Sequence, residues 1–213
     1  LKQKSSFAEA MLTGYKAFLC SGHMLYVQEP KHADDHFSIA SRLSHFLTNT
    51  RPDTELLKQA KLQNLRSVEL LKAETDRLID GPNFGRFVTQ FTDYWLDLRK
   101  IHRDEPDIRR FPEYRFDAYL VESMERETRA FFTAMVRENL PASTLIDSDF
   151  TFVNDRLTRH YELPAVSGSA MRRIGLPIES PYGGLLTQAS TLKITSNGTS
   201  TSPVVRGAWI MDR

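Results

Sequence analysis

The chain is poor in cysteine, in long apolar runs and in charge of one sign, and each shortage closes off a class of protein. Cys20 is the only cysteine among 213 residues, so no intrachain disulfide can form. None of the six histidines follows a Cys-x-x-Cys pair, so this segment cannot attach a c-type haem by the usual motif. A single thiol fits a reducing compartment without requiring one, because a chain of this length needs no covalent staple. Cys20 follows Ala17, Phe18 and Leu19 and is expected to pack as a small hydrophobe. No apolar run approaches the roughly 20 residues of a membrane span. Lys and Arg number 28 against 27 Asp and Glu, for a net charge of +1. That balance leaves no basic stripe for nucleic acid. Neither a Gly-x-Ser-x-Gly elbow nor a Walker loop is present. Leu1 rather than methionine stands first, so a chain that begins upstream is expected, and the lack of a leader says nothing about export.

With 40% apolar and 26% charged residues, the sequence is that of a globular protein with a mixed, solvated surface. Its periodicity is helical almost throughout the first two-thirds. Phe7, Met11, Tyr15, Phe18 and Leu25 form a first apolar stripe, with Gly22 as its end signal. Asp34 or Asp35 is placed to cap a second helix with Phe37, Ala40, Leu43, Phe46 and Leu47 inward. Thr50 to Asp53, with Pro52 in the first turn, starts a third, and Ser67 a fourth with Val68, Leu71, Thr75 and Leu78 inward. Asp80, Gly81 and Pro82 stop it. Phe84, Phe87, Val88, Phe91, Trp95, Leu98 and Ile101 recur at steps of three or four and predict one long helix with an aromatic core face. His102 to Arg115 is a charged connector tethered by Phe111 to Tyr114. Asp117 to Asn139 is a long helix with Leu120, Met124, Phe131 and Met135 inward, and with i,i+4 pairs Glu122–Arg126 and Glu125–Arg129 outside.

Beyond Pro141 the texture changes. Asp147 to Phe152 is expected to be a turn into a helix over 153–161, with Thr151 as its cap. From Leu163 onward Gly, Ser, Thr and Pro dominate. Loops, one short helix near 184–192, a polar loop over 195–202 and a last helix from Pro203, still running at Arg213, are expected there. The fold class is therefore mainly α: a multi-helix, bundle-like body with a loop-rich C-terminal segment. Residues 1–30 are expected to pack on the body as the end of a preceding helical domain. Residues 31–162 form the helical core, and 163–213 the C-terminal segment, cut short at its end.

Few constellations suggest chemistry. His32 and His36 are four apart, a spacing that suits a metal on a continuous helix, although Pro30 and the Asp34–Asp35 pair favour a solvated helix start. Asp147, Ser148 and Asp149 look like the opening of a calcium loop. Phe152 at its sixth position and Thr158 at its twelfth break the geometry, so an EF-hand is rejected. Asp93 with Asp97, and Glu122 with Glu125, are surface charge unless a cleft brings them together. Thr201 and Ser202 ahead of Pro203, together with Arg206, could hold an anion, and a loop with a helix cap accounts for the same residues. Asn197-Gly198-Thr199 matches a glycosylation acceptor, a short and unspecific pattern. The polar cluster singled out for function or structure is Asn154, Arg156, His160, Thr201, Ser202 and Arg206.

Several strings taken together resemble a family. Asp35-His36-Phe37-Ser38-Ile39-Ala40-Ser41-Arg42-Leu43-Ser44-His45-Phe46-Leu47, followed by Pro52-Asp53 and Glu55-Leu56-Leu57, is similar to the start of domain of unknown function 1592. Trp95-Leu96 and Phe111-Pro112-Glu113-Tyr114 fit its middle. Phe150-Thr151-Phe152-Val153-Asn154-Asp155-Arg156-Leu157-Thr158-Arg159-His160-Tyr161 resembles its close. Residues 7–29 look like the end of domain 1595. Gly183 to Ser190, and Thr201 to Trp209, look like domain 1588. The resemblance implies a large exported, periplasmic protein of planctomycete type that carries a c-type cytochrome domain elsewhere in its chain. It carries over no catalytic residues, and with no haem motif here no cofactor is expected in this segment. The expected partners are neighbouring domains of the same protein, a c-type cytochrome among them, with no nucleic acid. The expected role is a non-catalytic helical scaffold or interaction module. The alternatives are a hydrolase acting on a polymer through carboxylates and His160, and a metal-binding module at His32 and His36.

Overall fold

The structure is a computed structural model that describes residues 6–26, 35–114 and 117–213. Two compact units divide the chain: Leu1–His45 with Arg51–Lys72, and Phe46–Thr50 with Ala73–Arg213. Ten α-helices and one two-stranded sheet are present among the described residues, so the protein is mainly α as its periodicity predicts. No helix among them is long and apolar enough to cross a membrane.

The smaller unit holds α1 (Phe7–Leu19), α2 (Gly22–Leu25), the first turns of α3 (His36–Thr48), α4 (Thr54–Lys61) and the start of α5 (Val68–Asp80). Its helix starts are chemically conventional. Ser6 and Glu9 form a reciprocal capping box on α1. Asp35 Oδ2 accepts from Ser38 N at 3.3 Å, Asp53 Oδ1 from Leu56 N at 2.9 Å, and Ser67 Oγ from Leu70 N at 3.3 Å. Ala40, Leu56, Ala60 and Leu65 are buried. The apolar stripe from Phe7 to Leu25 is broken at Cys20 into two helices, and α1 has no buried residue. Val68, expected inward, is exposed; α5 instead buries Glu74, which binds Arg77 at 2.7 Å in the larger unit.

The larger unit is built around α6 (Phe84–Trp95) and the 20-residue α7 (Ala118–Arg137). Leu120, Met124, Phe131 and Met135 are buried on α7, as predicted. They anchor two apolar clusters. One gathers Ile101, Val153, Leu157 and Tyr161 around Leu120 and Met124; the other gathers Leu96, Leu98, Phe150 and Leu185 around Phe131 and Met135. Each side chain so buried contributes roughly 1.5–3 kcal/mol. The aromatic helix is shorter than its stripe. It ends at Trp95 with Leu96 as its cap, and Asp97, in the left-handed region at φ 56°, turns the chain so that Leu98 and Ile101 enter the core from a 3-10 turn. Asp97 is nearly buried and is held there by Lys100 and by Arg213. Phe84 and Val88 are core, whereas Phe91 is 38% exposed and stacks on Phe87, Trp95 and Phe132 at 5.2–5.4 Å.

After α7 comes a strand where a turn into the next helix was expected. β1 (Phe150–Val153) pairs antiparallel with β2 (Arg172–Gly175), Phe150 opposite Gly175 and Val153 opposite Arg172. Phe-Thr-Phe-Val is an aromatic and β-branched run, and a partner strand 20 residues on outweighs its helical surroundings. α8 (Asp155–His160) follows with Asn154 as its cap, not Thr151. The single helix expected near 184–192 is a 3-10 turn, Leu185–Thr187, then α9 (Ala189–Ile194). α10 (Pro203–Asp212) starts with Ser202 Oγ accepting from Val205 N, as predicted, and Trp209 packs on the second core cluster.

Candidate functional site

Five of the six polar residues singled out in the sequence fall into two places. Asn154 and Arg156 belong to a structural knot. Asn154 is fully buried; its Oδ1 accepts from Arg156 N and Leu157 N, and its Nδ2 donates to Tyr119 Oη and Ser123 Oγ at 3.1 and 2.8 Å. One amide therefore caps α8 and fastens it to α7. Arg156 Nε completes the join by donating to Asp117, the cap residue of α7, and Tyr119 Oη donates to Asp155 at 2.8 Å. Asn154→Ala should cost about 2 kcal/mol, combining a lost cap with buried groups left short of a partner. Denaturant midpoints of the two proteins would measure it; a change below about 0.5 kcal/mol, typical of surface substitutions, would contradict the knot.

His160, Thr201 and Arg206 line a cavity of about 460 Å³. Several elements supply its walls, α10 among them through Arg206. The 3-10 turn Pro112–Tyr114 brings Tyr114, whose ring meets His160 edge-on at 6.2 Å, and Phe111 stands beside it. α8 places His160 on its last turn, and α9 supplies Leu192 and Lys193. The loop between α9 and α10 closes the side with Ser196, Gly198 and Ser200. That loop is pinned. Asn197 Oδ1 accepts from Thr199 N and Ser200 N, Gly198 O accepts from Asp107 N, and Thr199 O accepts from Arg110. Gly198 has φ 78°, and a Cβ there would lie 2.6 Å from Glu105 O, so the close approach requires glycine.

Two fixed cations face this hollow. Arg206 donates through Nε to Thr195 Oγ1 at 3.2 Å and through one Nη to Thr201 Oγ1 at 2.7 Å. Lys193 Nζ donates to the carbonyls of Ile101 and Asp104, and partial burial draws its pKa below the usual lysine range, opposed by Asp104 and Glu105. Ser202, the sixth residue, caps α10 instead of lining the cavity. No carboxylate is among the lining residues that the structure describes. Asp155 and Asp117 are bound to Tyr119 and Arg156 in the knot described above. A second hollow of about 700 Å³ shares Pro106, Tyr114 and Lys193 with the first and does carry Glu105 and Asp117. In the other candidate, His36 Nδ1 accepts from Leu65 N at 3.1 Å; His32 lies outside the described residues.

The most perturbed group was not singled out in the sequence at all. Glu127 on α7 is 1% exposed and accepts from Thr151 Oγ1 at 2.7 Å and Tyr161 Oη at 2.6 Å. Burial pushes its carboxyl up to about 7, against the lowering effect of those two hydroxyls. Tyr161 Oη in turn accepts from Ala189 N at 2.6 Å, and its own pKa is raised by burial and by the neighbouring carboxyl. A cavity that reaches Glu127 has about 10 Å³ of free volume, too little for a ligand. Glu127 is thus a join between α7, β1, α8 and α9. A signal was available: Leu120, Met124 and Phe131 fix the inward face of α7, and Glu127 sits three residues after one and four before another.

Comparison with known proteins agrees with the sequence strings that lie between residues 35 and 161. No curated protein and no solved structure matches the chain. The family model described as PSD4, Protein of unknown function (DUF1592), matches residues 35–163, from the cap of α3 to the end of the segment after α8. That span is more than half of the chain and contains both the Asn154 knot and Glu127, and the protein therefore belongs to this family of unknown function.

Proposed function

We propose that the chain is a non-catalytic helical interaction module of a larger exported protein, working beside a c-type cytochrome domain of that protein. The observation that carries this reading is the uncovered face of α1. Phe7, Leu12, Tyr15, Phe18 and Leu19 are 53–83% exposed on a helix that nevertheless has a complete capping box. A well-terminated helix with a contiguous apolar face in water is the signature of a surface made for another polypeptide. The polar joins at Asn154 and Glu127 support the same role, since they fix the elements of the larger unit rigidly and leave no reactive group at their centre. The cytochrome partner and the exported setting rest on the resemblance of the strings around residues 150–161 and 183–209.

The exposed thiol of Cys20, directly after α1, provides the test. In the full-length protein, alkylation of Cys20 followed by peptide mapping should be at least ten-fold slower in the native state than in urea, because a neighbouring domain covers α1. A photo-crosslinker at Phe18 should label haem-bearing peptides. Equal rates in both states would remove the covered face. Protection with crosslinks only to haem-free peptides would keep the module and reject the cytochrome.

A further inference from the structure

We propose that the 460 Å³ cavity between Tyr114, His160 and Arg206 is a binding site for a small organic carboxylate with an apolar or aromatic body. The inference is independent of what covers α1. Its size is that of a small-molecule site, and its walls are of two kinds, as such sites usually are: a broad apolar surface with a few convergent polar groups. Pro106, Phe111, Tyr114, Ala189 and Leu192 supply the first. Arg206, Lys193, Ser200 and Thr201 supply the second.

The charge of the lining chooses the sign of the ligand. Among the described lining residues Arg206 and Lys193 are cations, and the carboxylates of Glu105 and Asp117 line the adjoining hollow instead. The guanidinium is held in place by Thr195 and Thr201 through Nε and one Nη, which leaves its other Nη without a partner among the described residues. Lys193 uses two of its three N–H groups on the carbonyls of Ile101 and Asp104. Donors that are already oriented and not fully used lose little freedom on meeting an anion, and a planar guanidinium matches a carboxylate in particular. The apolar wall selects against hydrated inorganic anions, which would gain nothing from Phe111, Tyr114 and Leu192. Pinning of the loop by Asp107 and Arg110 keeps the site formed before any ligand arrives.

Calorimetric titration of the purified protein with benzoate and with benzamide, its uncharged counterpart of equal shape, tests the site. Benzoate should bind with a Kd of roughly millimolar or tighter, as its size allows, and benzamide at least ten-fold more weakly. Arg206→Gln should weaken benzoate at least ten-fold, and Arg206→Lys should restore part of the loss. Ser200→Trp, at an exposed position on the rim, should block benzoate without touching the hydrogen bonds of Arg206, and so serves if Arg206→Gln does not fold. Absence of benzoate binding in the millimolar range, equal binding of benzamide, or unchanged binding by folded Arg206→Gln and Ser200→Trp proteins would each overturn the assignment.

Discussion

Gly184→Ala is expected to destabilise the protein by about 3 kcal/mol or more, a larger loss than ordinary single substitutions cause. Gly184 has φ 74° and ψ 176°, a region open in practice only to glycine. A Cβ on it would lie 2.5 Å from Ile146 O and 2.6 Å from both Ile146 C and Leu145 O. All three are backbone atoms, so no side-chain rotation relieves the clash; the turn after α7 or the start of the 3-10 turn has to move. The displacement would reach Leu185, which is buried against Phe131 and Phe150. Gly183 repeats the constraint, with a Cβ position 2.8 Å from Ser148 O. The Gly-Gly pair is thus where the C-terminal segment is drawn down onto the turn that precedes β1. Chemical denaturation of the two proteins measures the loss. A difference under about 1 kcal/mol would mean that the two backbones do not approach as described.

What could be read in the sequence and what could not divide along a physical line. Helix starts and inward faces depend on local chemistry and a 3.6-residue period, so Asp53, Ser67 and Ser202 cap where expected, and Leu120, Met124, Phe131 and Met135 are buried. β1 depends on a partner at 172–175, and no local pattern of Arg-Arg-Ile-Gly announces it. The same dependence on distant partners hid the end of the aromatic helix, since Asp97 is stabilised in its left-handed turn by Arg213, 116 residues away. Within the candidate polar cluster, residue types were informative and their grouping was not. His160 and Arg206 meet at one cavity only because α9 and its following loop fold back between them. Asn154 reads as one more polar residue until Ser123 and Tyr119 are seen to face it. Phe7 and Phe18 show the opposite case, a clear stripe with no core to meet in the structure.

Glu127 makes the pH dependence of stability the second large effect. An unfolded glutamate titrates near ~4.3, whereas burial holds the folded carboxyl at about 7. Below both values it is protonated in either state and contributes no pH dependence. As pH rises through the unfolded value, the unfolded chain loses its proton first while the folded chain keeps it, so the unfolded state gains. Stability contributed by this group is therefore full in acid, falls between roughly pH 4.5 and 7, and is constant above that, by on the order of 3 kcal/mol in all. Glu127→Gln removes the titration and keeps an acceptor for one of the two hydroxyls of Thr151 and Tyr161. The difference in unfolding free energy between wild type and Glu127→Gln should accordingly favour wild type at pH 4.5 and shrink or reverse by pH 8. Taking the difference cancels every group that titrates alike in the two proteins. Parallel stability curves would show that the carboxyl is ionised in the fold at the same pH as in water. A falling difference would go further than stability, because Tyr161 passes the effect from Glu127 to the backbone of Ala189. Ionisation then places a charge at the one point where α7, β1, α8 and α9 share a polar contact, and amide exchange at Ala189 should rise over the same pH window beyond its ordinary base-catalysed increase in wild type but not in Glu127→Gln.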